Sequence, residues 1–204
     1  SKYVKTINLN EIIKSVYETD TEILSGISEL YLDGQKFDLD PTYSKGVFYK
    51  TFKEPKYKSD LLPQVDGVIQ SDCRKLWFEN NSINSICFDP PFLFRNRPSV
   101  NNDVNCKRFS YFKTFEELLS MYEESLVEFY RVLNKKGILA FKCQDMTDDK
   151  TYFTHCEVLR LAEKNGFKGR DLFILVANNR IYHSETKQRH ARKFHSYWYV
   201  LQTI

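Results

Sequence analysis

The stretch that decides the fold is Asn84-Ser85-Ile86-Cys87-Phe88-Asp89-Pro90-Pro91-Phe92. Its apolar centre, residues 86–88, predicts a short buried strand. The strand must end at Asp89, because proline has no backbone N–H and its ring fixes φ near about −65°. In open α/β sheets, ligands bind at the edge formed by the carboxyl ends of the strands. The sequence therefore predicts an acid, a rigid backbone carbonyl and the ring of Phe92 at that edge.

Composition sets the broad class. The chain has 204 residues, 42% of them hydrophobic and 28% charged, with a net charge of +3. This length and balance predict one soluble globular domain over residues 1–204. The five cysteines show no C-x-x-C spacing, which argues against a zinc site or a disulfide framework and fits a reducing cytoplasm. We expect no membrane span and no metal site.

Two more predicted strands end in an acid. Residues 37–39 run into the turn Asp40-Pro41-Thr42-Tyr43-Ser44-Lys45-Gly46, and residues 68–71 run into Asp72. Residues 53–66 look like a loop bounded by prolines, in which Asp60 either ends a further strand or is a surface acid. Alternating strands and helices predict a mostly parallel sheet.

The remaining elements follow from hydrophobic periodicity and capping signals. Residues 7–32 predict a pair of helices, within an N-terminal helical segment over residues 1–34. Thr114-Phe115-Glu116-Glu117 has the form of a capping box and opens a long helix, which we expect Lys135-Lys136-Gly137 to end. The other predicted elements are a strand over 138–141, a helix over 151–165 closed by Gly166, and an antiparallel hairpin of strands 170–176 and 195–202.

Asp-Pro-Pro-Phe at 89–92 resembles the catalytic motif of the S-adenosylmethionine-dependent amino-methyltransferases that act on adenine or cytosine in DNA, and of some RNA relatives. Asp72, 17 residues before Asp89, has the spacing of the family's cofactor-binding acid. The resemblance covers residues 35–203. It implies the class I, Rossmann-like methyltransferase fold, with a mostly parallel seven-stranded sheet, a closing antiparallel hairpin and flanking helices. It also implies the cofactor S-adenosyl-L-methionine.

The family's residue roles carry over by position. The resemblance implies that Asp89 and the Pro90 carbonyl orient the target amine, with Pro91 and Phe92 completing the catalytic motif and Phe92 stacking on the base. The family's turn, Asp-Pro-Phe-x-Gly-Ser-Gly, corresponds to residues 40–46, where Ser44 replaces the middle glycine. The implied cofactor-binding residues are Asp40, Pro41, Thr42, Ser44, Gly46, Asp60 (ribose), Asp72 (adenine amino group) and Cys73 (ring face).

Two basic segments interleave cations with aromatic or polar residues, a pattern that suits contact with a nucleic-acid backbone. The candidate contact residues are Arg95, Arg97, Lys107, Arg108, Arg180, Lys187, Arg189, Arg192 and Lys193. Three histidines in or beside the second segment lack a carboxylate or cysteine at ligand spacing, so a metal site is disfavoured. Neither segment is long enough for a separate target-recognition domain, which leaves room for a partner subunit that reads sequence.

The favoured function is methylation of an exocyclic amino group of a flipped-out DNA base, with adenine N6 preferred, in a bacterial or phage-encoded cytoplasmic enzyme. Three alternatives stay open: an RNA base amino-methyltransferase acting on tRNA or rRNA, a catalytically silent nucleic-acid-binding relative, and a dinucleotide-dependent oxidoreductase. The last is disfavoured because the chain contains no G-x-G-x-x-G motif.

Overall fold

The computed structural model describes residues 12–94, 112–148, 150–177 and 190–204. Its centre is an eight-stranded sheet, and a two-stranded ribbon lies beside it. The strands are β1 (Val16–Tyr17), β2 (Leu39–Asp40), β3 (Tyr57–Asp60), β4 (Ile69–Gln70), β5 (Ile83–Phe88), β6 (Leu133–Cys143), β7 (Met146–Thr147), β8 (Thr151–Tyr152), β9 (Phe167–Val176) and β10 (His195–Thr203). The helices are α1 (Asp20–Tyr31), α2 (Phe115–Val132) and α3 (Thr154–Lys164), with a 3₁₀ turn at Val47–Lys50.

The order of the large sheet is β1-β9-β10-β6-β5-β2-β3-β4. Strand β10 pairs antiparallel with both β6 and β9, and every other pairing in the sheet is parallel. The predicted mostly parallel sheet with its closing antiparallel hairpin is therefore confirmed. The sheet has eight strands and not the expected seven, because β1 adds to its edge beside β9.

Of the pair of helices predicted over residues 7–32, the second is confirmed by α1 and the first needs correction. Residues 12–19 are not helical, and Val16–Tyr17 is a strand whose neighbour Ser15 accepts a hydrogen bond from Ile174 at 2.7 Å. A β-branched and an aromatic residue fit a pleated strand, and the pairing with β9 overrides the helical spacing of the apolar residues. The first helix begins at Asp20, after the N-cap Thr19, and residues 1–11 lie outside the described residues.

The long helix α2 begins as predicted. The Thr114 hydroxyl accepts from the Glu117 N–H at 3.1 Å, and the Glu117 carboxylate accepts from the Lys113 N–H at 2.8 Å, which is a capping arrangement. The predicted stop at Lys135-Lys136-Gly137 is wrong, because α2 ends at Val132 and those residues belong to β6. Pairing of Leu133 with Ile83 of β5 begins the strand before the glycine is reached.

The helix predicted over residues 151–165 starts later, at Thr154. Thr151–Tyr152 instead pairs with Met146–Thr147 as the small ribbon. The predicted end at Gly166 is confirmed. Gly166 has φ +91°, and an added Cβ would lie 2.5 Å from the Tyr130 ring, so both the conformation and the space require glycine.

Hydrophobic side chains cover both faces of the sheet. Helices α2 and α3 pack against one face with Leu139, Phe141, Tyr199 and Leu201, and α1 packs against the other with Ile138, Ala140, Trp198 and Val200. Successive strand residues alternate between the two clusters, as the pleat requires. No helix in the described ranges is long and apolar enough to span a membrane.

Candidate active site

Four acids meet at one edge of the sheet. Asp40 and Asp60 are the last residues of β2 and β3, Asp89 directly follows β5, and Asp72 lies two residues beyond β4. These strands are parallel, so their carboxyl ends share one edge, which is where ligands bind in folds of this type. The open question about Asp60 is answered: it ends a strand at this edge.

An open pocket lies at this edge. The residues that line it are Pro41, Thr42, Asp60, Leu61, Asp72, Cys73, Arg74, Pro91, Phe112 and Met121. Five of the eight predicted cofactor residues are among them; the other three, Asp40, Ser44 and Gly46, belong to the turn beside the pocket.

The turn after β2 contains two residues in the left-handed region, Ser44 at φ 53° and Gly46 at φ 64°. A side chain at Gly46 would collide with the Tyr43 ring, so this position requires glycine. Ser44 occupies the position of the family's middle glycine and keeps the left-handed conformation that glycine adopts readily. Its N–H donates to the Asp60 carboxylate at 2.8 Å, which ties the turn to the end of β3.

Asp40 is buried beneath the turn, with an exposed fraction of 1%. Its carboxylate accepts hydrogen bonds from the Thr42 N–H at 2.8 Å, the Thr42 hydroxyl at 3.2 Å and the Tyr49 hydroxyl at 2.7 Å. Burial raises the pKa of Asp40 to about 7, against the opposing effect of these hydrogen bonds. Asp40 therefore stabilises the turn through these hydrogen bonds and does not line the pocket.

Asp89 begins the proline segment and is held at both its backbone and its side chain. Its N–H donates to the Thr42 hydroxyl at 2.9 Å, so the end of β5 is joined to the turn that lines the pocket. Its carboxylate is 28% exposed and lies 3.6 Å from the Lys142 ammonium. Burial raises the pKa of Asp89, while the charge of Lys142 lowers it and the charge of Asp20 raises it.

The two prolines fix the backbone after Asp89. Pro90 is buried, and the Pro91 carbonyl accepts a hydrogen bond from the Tyr122 hydroxyl of α2 at 2.7 Å. The Phe92 ring is partly exposed beside them. The predicted arrangement of an acid, a rigid backbone and an aromatic ring is therefore present in the structure.

Asp60 and Asp72 reach the pocket from neighbouring strands. The Asp60 carboxylate accepts from the N–H groups of Ser44 and Leu62, at 2.8 and 2.9 Å. Asp72 forms an ion pair with Arg74 at 2.7 Å, and hydrogen bonds from Arg74 lower the pKa of Asp72. Asp60 accepts one hydrogen bond on each oxygen and keeps acceptor capacity for a ligand, whereas both oxygens of Asp72 already accept from the backbone N–H, Nε and Nη2 of Arg74.

The thiol of Cys73 lies 3.3 Å from the Ser125 hydroxyl. Burial raises the pKa of Cys73 to about 11, so the thiol is protonated at neutral pH and can only pack against a ligand. Cys87 and Cys143 are buried in β5 and β6. Within the described ranges, no group of three or more side chains could hold a metal ion.

The two basic segments are described only in part. Arg95, Arg97, Lys107, Arg108, Arg180, Lys187 and Arg189 lie outside the described residues. The first segment leaves and rejoins the described fold at Phe94 and Phe112, which form a bridge, and Phe112 lines the pocket. Arg192 is exposed and Lys193 is partly buried, just before β10, whose first residues lie at the same edge as Asp89.

Four contributors to this edge were not predicted from the sequence: Asp20, Arg74, Tyr122 and Lys142. Lys142 left the clearest signal, because it is a charged residue inside the apolar run of β6 and lies next to the buried Phe141 and Cys143. Arg74 follows Asp72 by two residues and pairs with it locally, whereas only packing of the helices brings Asp20 and Tyr122 to this edge.

No protein-family model matches the sequence, and no curated protein is significantly similar to it. Among solved structures, the chain resembles 1,6-didemethyltoxoflavin-N1-methyltransferase of Burkholderia thailandensis, bound to 1,6-didemethyltoxoflavin and S-adenosylhomocysteine. The TM-score is 0.54 at 13% identity, over 91% of this chain and 79% of that one. TrmN from Thermus thermophilus gives a TM-score of 0.51 at 14% identity, over 90% of this chain and 49% of that one.

A protein described as a DNA modification methylase from Thermus thermophilus, complexed with S-adenosyl-L-methionine, matches over 65% of this chain with a TM-score of 0.46 and 16% identity. The chain spans about half the length of that protein, 53%. Identities this low show the fold alone. The chain has the class I, Rossmann-like methyltransferase fold that the sequence predicts.

Proposed function

We propose that this protein is an S-adenosylmethionine-dependent methyltransferase that modifies an exocyclic amino group of a base in nucleic acid, with adenine N6 in DNA as the favoured target. One observation carries the proposal. Asp89-Pro90-Pro91-Phe92 lies at the carboxyl edge of a class I methyltransferase sheet, beside a pocket that three strand-end residues line: Thr42, Asp60 and Asp72.

The pocket residues suit the parts of S-adenosyl-L-methionine. The left-handed turn with Ser44 and Gly46 allows backbone to approach the methionine end closely. Asp60 suits the ribose hydroxyls, because a carboxylate accepts from two neighbouring donors. Asp72 suits the adenine amino group, and Cys73 suits the flat face of the ring because its buried thiol is uncharged.

The proposed chemistry is a direct displacement. The cofactor supplies an electrophilic sulfonium methyl group. The Asp89 carboxylate and the Pro90 carbonyl accept hydrogen bonds from the amine, which directs the nitrogen lone pair at the methyl carbon. A carbon–nitrogen bond forms as the carbon–sulfur bond breaks, and sulfur keeps the bonding electrons. The extra proton on nitrogen is then transferred to the Asp89 carboxylate. Orientation of the two reactants supplies much of the rate.

The target must leave the base stack to reach this edge, and the ring of Phe92 offers a face on which it can stack. The basic segments support a nucleic-acid substrate, because the first one leaves and rejoins the fold beside the pocket, at Phe94 and Phe112. Arg192 and Lys193 lie at the same edge. A partner subunit that supplies sequence recognition remains part of this proposal.

The test is mass spectrometry of nucleosides from duplex DNA and from tRNA, each incubated with the protein and S-adenosyl-L-methionine. We expect N6-methyladenine in DNA, and methylated bases in tRNA alone would move the assignment to the RNA alternative. Asp89→Ala should lower turnover by about 100-fold, the equivalent of a charged hydrogen bond of roughly 3 kcal/mol. Asp66→Ala, which removes an exposed acid between β3 and β4, is the matched control and should behave as wild type.

Cofactor binding by calorimetry completes the test. Asp89→Ala should bind S-adenosyl-L-methionine about as well as wild type, because its hydrogen bond acts on the amine and is needed most in the transition state. A wild-type rate of DNA methylation by Asp89→Ala would refute the role of Asp89. Tight cofactor binding without transfer to any nucleic acid would favour the catalytically silent relative.

A further inference from the structure

The ammonium of Lys142 lies between the carboxylates of Asp20 and Asp89 and is closer to Asp20. Its ammonium is 2.9 Å from Asp20 and 3.6 Å from Asp89, and its side chain is only 16% exposed. The rings of Phe48 and Trp198 lie beneath the ammonium, with centroids at 5.1 and 5.6 Å. Lys142 is therefore a cation held in a mostly apolar enclosure, closer to the remote acid than to the acid of the proline motif.

Asp20 is itself fixed in place. The carboxylate oxygen that contacts Lys142 also accepts a hydrogen bond from the indole N–H of Trp198 at 2.8 Å. Trp198 is fully buried in β10, and Asp20 is the first residue of α1. The packing of α1 against the sheet therefore sets the distance between Asp20 and Lys142.

The three charges have consequences for Asp89. An ammonium carries three donors, and a lysine paired with Asp89 alone would compete with the target amine, which donates to Asp89, for the lone pairs of that carboxylate. Removal of the cation altogether would leave Asp89 next to Asp20 with no positive charge between them, which favours protonation of Asp89. The observed arrangement avoids both outcomes, competition for Asp89 and its protonation. The ammonium contacts Asp20 more closely than Asp89, yet it stays near enough to Asp89 to offset the charge of Asp20.

We propose that Asp20 and Lys142 are positioning residues for Asp89: the Lys142 ammonium favours the ionised form of Asp89, and Asp20 draws that ammonium aside so that an oxygen of Asp89 stays free for the amine. The role toward the amine rests on the proposed function. With one ammonium and two carboxylates, the group has a net charge of −1. That charge complements the single positive charge that passes from sulfur to nitrogen during methyl transfer.

Directions of the pKa shifts agree with this arrangement. Burial raises the pKa of Asp89, Lys142 lowers it, and Asp20 raises it. For Lys142, burial lowers the pKa, but the two acids outweigh it and the pKa is raised. The titratable groups that face Asp89 from the elements around it are Lys142 of β6, Asp20 of α1, Asp40 of β2, Cys87 of β5 and Tyr122 of α2.

The first experiment needs no catalysis. Carbon-13 NMR of aspartate-labelled protein follows the titration of the Asp89 carboxyl, with the signal assigned by its loss in Asp89→Asn. Asp20→Asn should lower the apparent pKa of Asp89, and Lys142→Met should raise it. Asp20→Asn keeps an oxygen for the Trp198 indole, and a methionine suits the apolar neighbours of Lys142. Glu22→Gln, which removes an acid from the same helical turn, is the control and should leave the titration unchanged.

The second experiment measures kcat against pH with the methylation assay. The acid limb of the profile should move to lower pH in Asp20→Asn and to higher pH in Lys142→Met. On the plateau above the limb, Asp20→Asn should lose about 10-fold in kcat, because the ammonium then competes for Asp89. Adding Lys142→Met to Asp20→Asn should restore part of that loss.

The two readouts separate failure of the positioning role from failure of the proposed function. Shifts of Asp89 in the same direction in both variants, or none in Asp20→Asn, would overturn the proposal even if the protein methylates DNA. Additive losses of kcat in the double variant would also overturn it and would indicate a merely structural role. If wild type transfers no methyl group, the proposed function fails, while opposite NMR shifts would still establish that Asp20 controls the Lys142–Asp89 pair.

Discussion

Replacing the buried Asp40 with asparagine should stabilise the protein at neutral and alkaline pH. The folded state favours the protonated form of Asp40, because burial raises its pKa from the ordinary 3.8 to about 7. Between these two values the folded chain binds more protons than the unfolded chain, so stability falls as the pH rises from about 4 to about 7 and then levels off. Asparagine has the same shape and no charge, so it removes this loss.

The size of the effect follows from the shift. A pKa difference of one unit corresponds to about 1.4 kcal/mol. Asp40→Asn should therefore raise the free energy of unfolding by about 2 kcal/mol at pH 5.5 and by about 4 kcal/mol at pH 8. Near pH 4 the gain should vanish, because both proteins then bury a neutral group. The asparagine oxygen can accept from the Thr42 N–H, and its amide can donate to the Tyr49 hydroxyl oxygen; the Tyr49 O–H then loses its carboxylate acceptor, which offsets part of the gain.

Urea unfolding followed by circular dichroism at pH 4, 5.5 and 8 measures the gain. Asp66→Asn, which neutralises an exposed acid between β3 and β4, gives the general effect of losing one negative charge, to be subtracted. A gain that grows with pH supports the reasoning. Equal destabilisation by Asp40→Asn at all three pH values would refute it, because the carboxylate would then be a net stabilising group.

Three further predictions concern the same edge. Asp72→Ala should weaken S-adenosyl-L-methionine binding by about 10- to 100-fold, the range for a hydrogen bond to a charged group; unchanged affinity by calorimetry would remove Asp72 from the cofactor site. Ser44→Val should lower stability by about 1–2 kcal/mol more than Ser44→Gly, because only glycine adopts the left-handed conformation without strain; equal melting temperatures would contradict this. Replacing Arg192 and Lys193 with alanine should lower the salt-dependence slope of DNA binding by about two, one per lost phosphate contact; an unchanged slope would show that neither residue contacts DNA.

Three of the four acids at the edge could be found from the sequence because each of the three ends an apolar run. Asp40, Asp72 and Asp89 follow short hydrophobic segments, and parallel strands bring such positions together whatever the details of packing. Asp60 was harder, because its strand, Tyr57–Asp60, is polar and bounded by prolines and has no hydrophobic pattern. Its strand character comes from pairing with β2 and β4.

The Asp20–Lys142 pair could not be found in this way. The two residues lie far apart in the sequence, and their contact depends on α1 packing over β6 and β10. The residues around Asp20 indicate where a helix starts, but they do not indicate which strand that helix packs against. The end of α2 shows the same limit, because Gly137 resembles a helix stop while pairing of β6 with β5 decides the boundary.

One hydroxyl links the buried acid to the acid of the proline motif. The Thr42 hydroxyl donates to Asp40 at 3.2 Å and accepts from the Asp89 N–H at 2.9 Å. An ionised carboxylate can only accept, so a charged Asp40 orients the hydroxyl with its lone pair toward Asp89. Asparagine has an amide that donates as well as an oxygen that accepts, so it fixes the hydroxyl less strictly. Asp40 therefore orders the end of β5 through the Thr42 hydroxyl, and Asp40→Asn should loosen that contact even where it raises the free energy of unfolding.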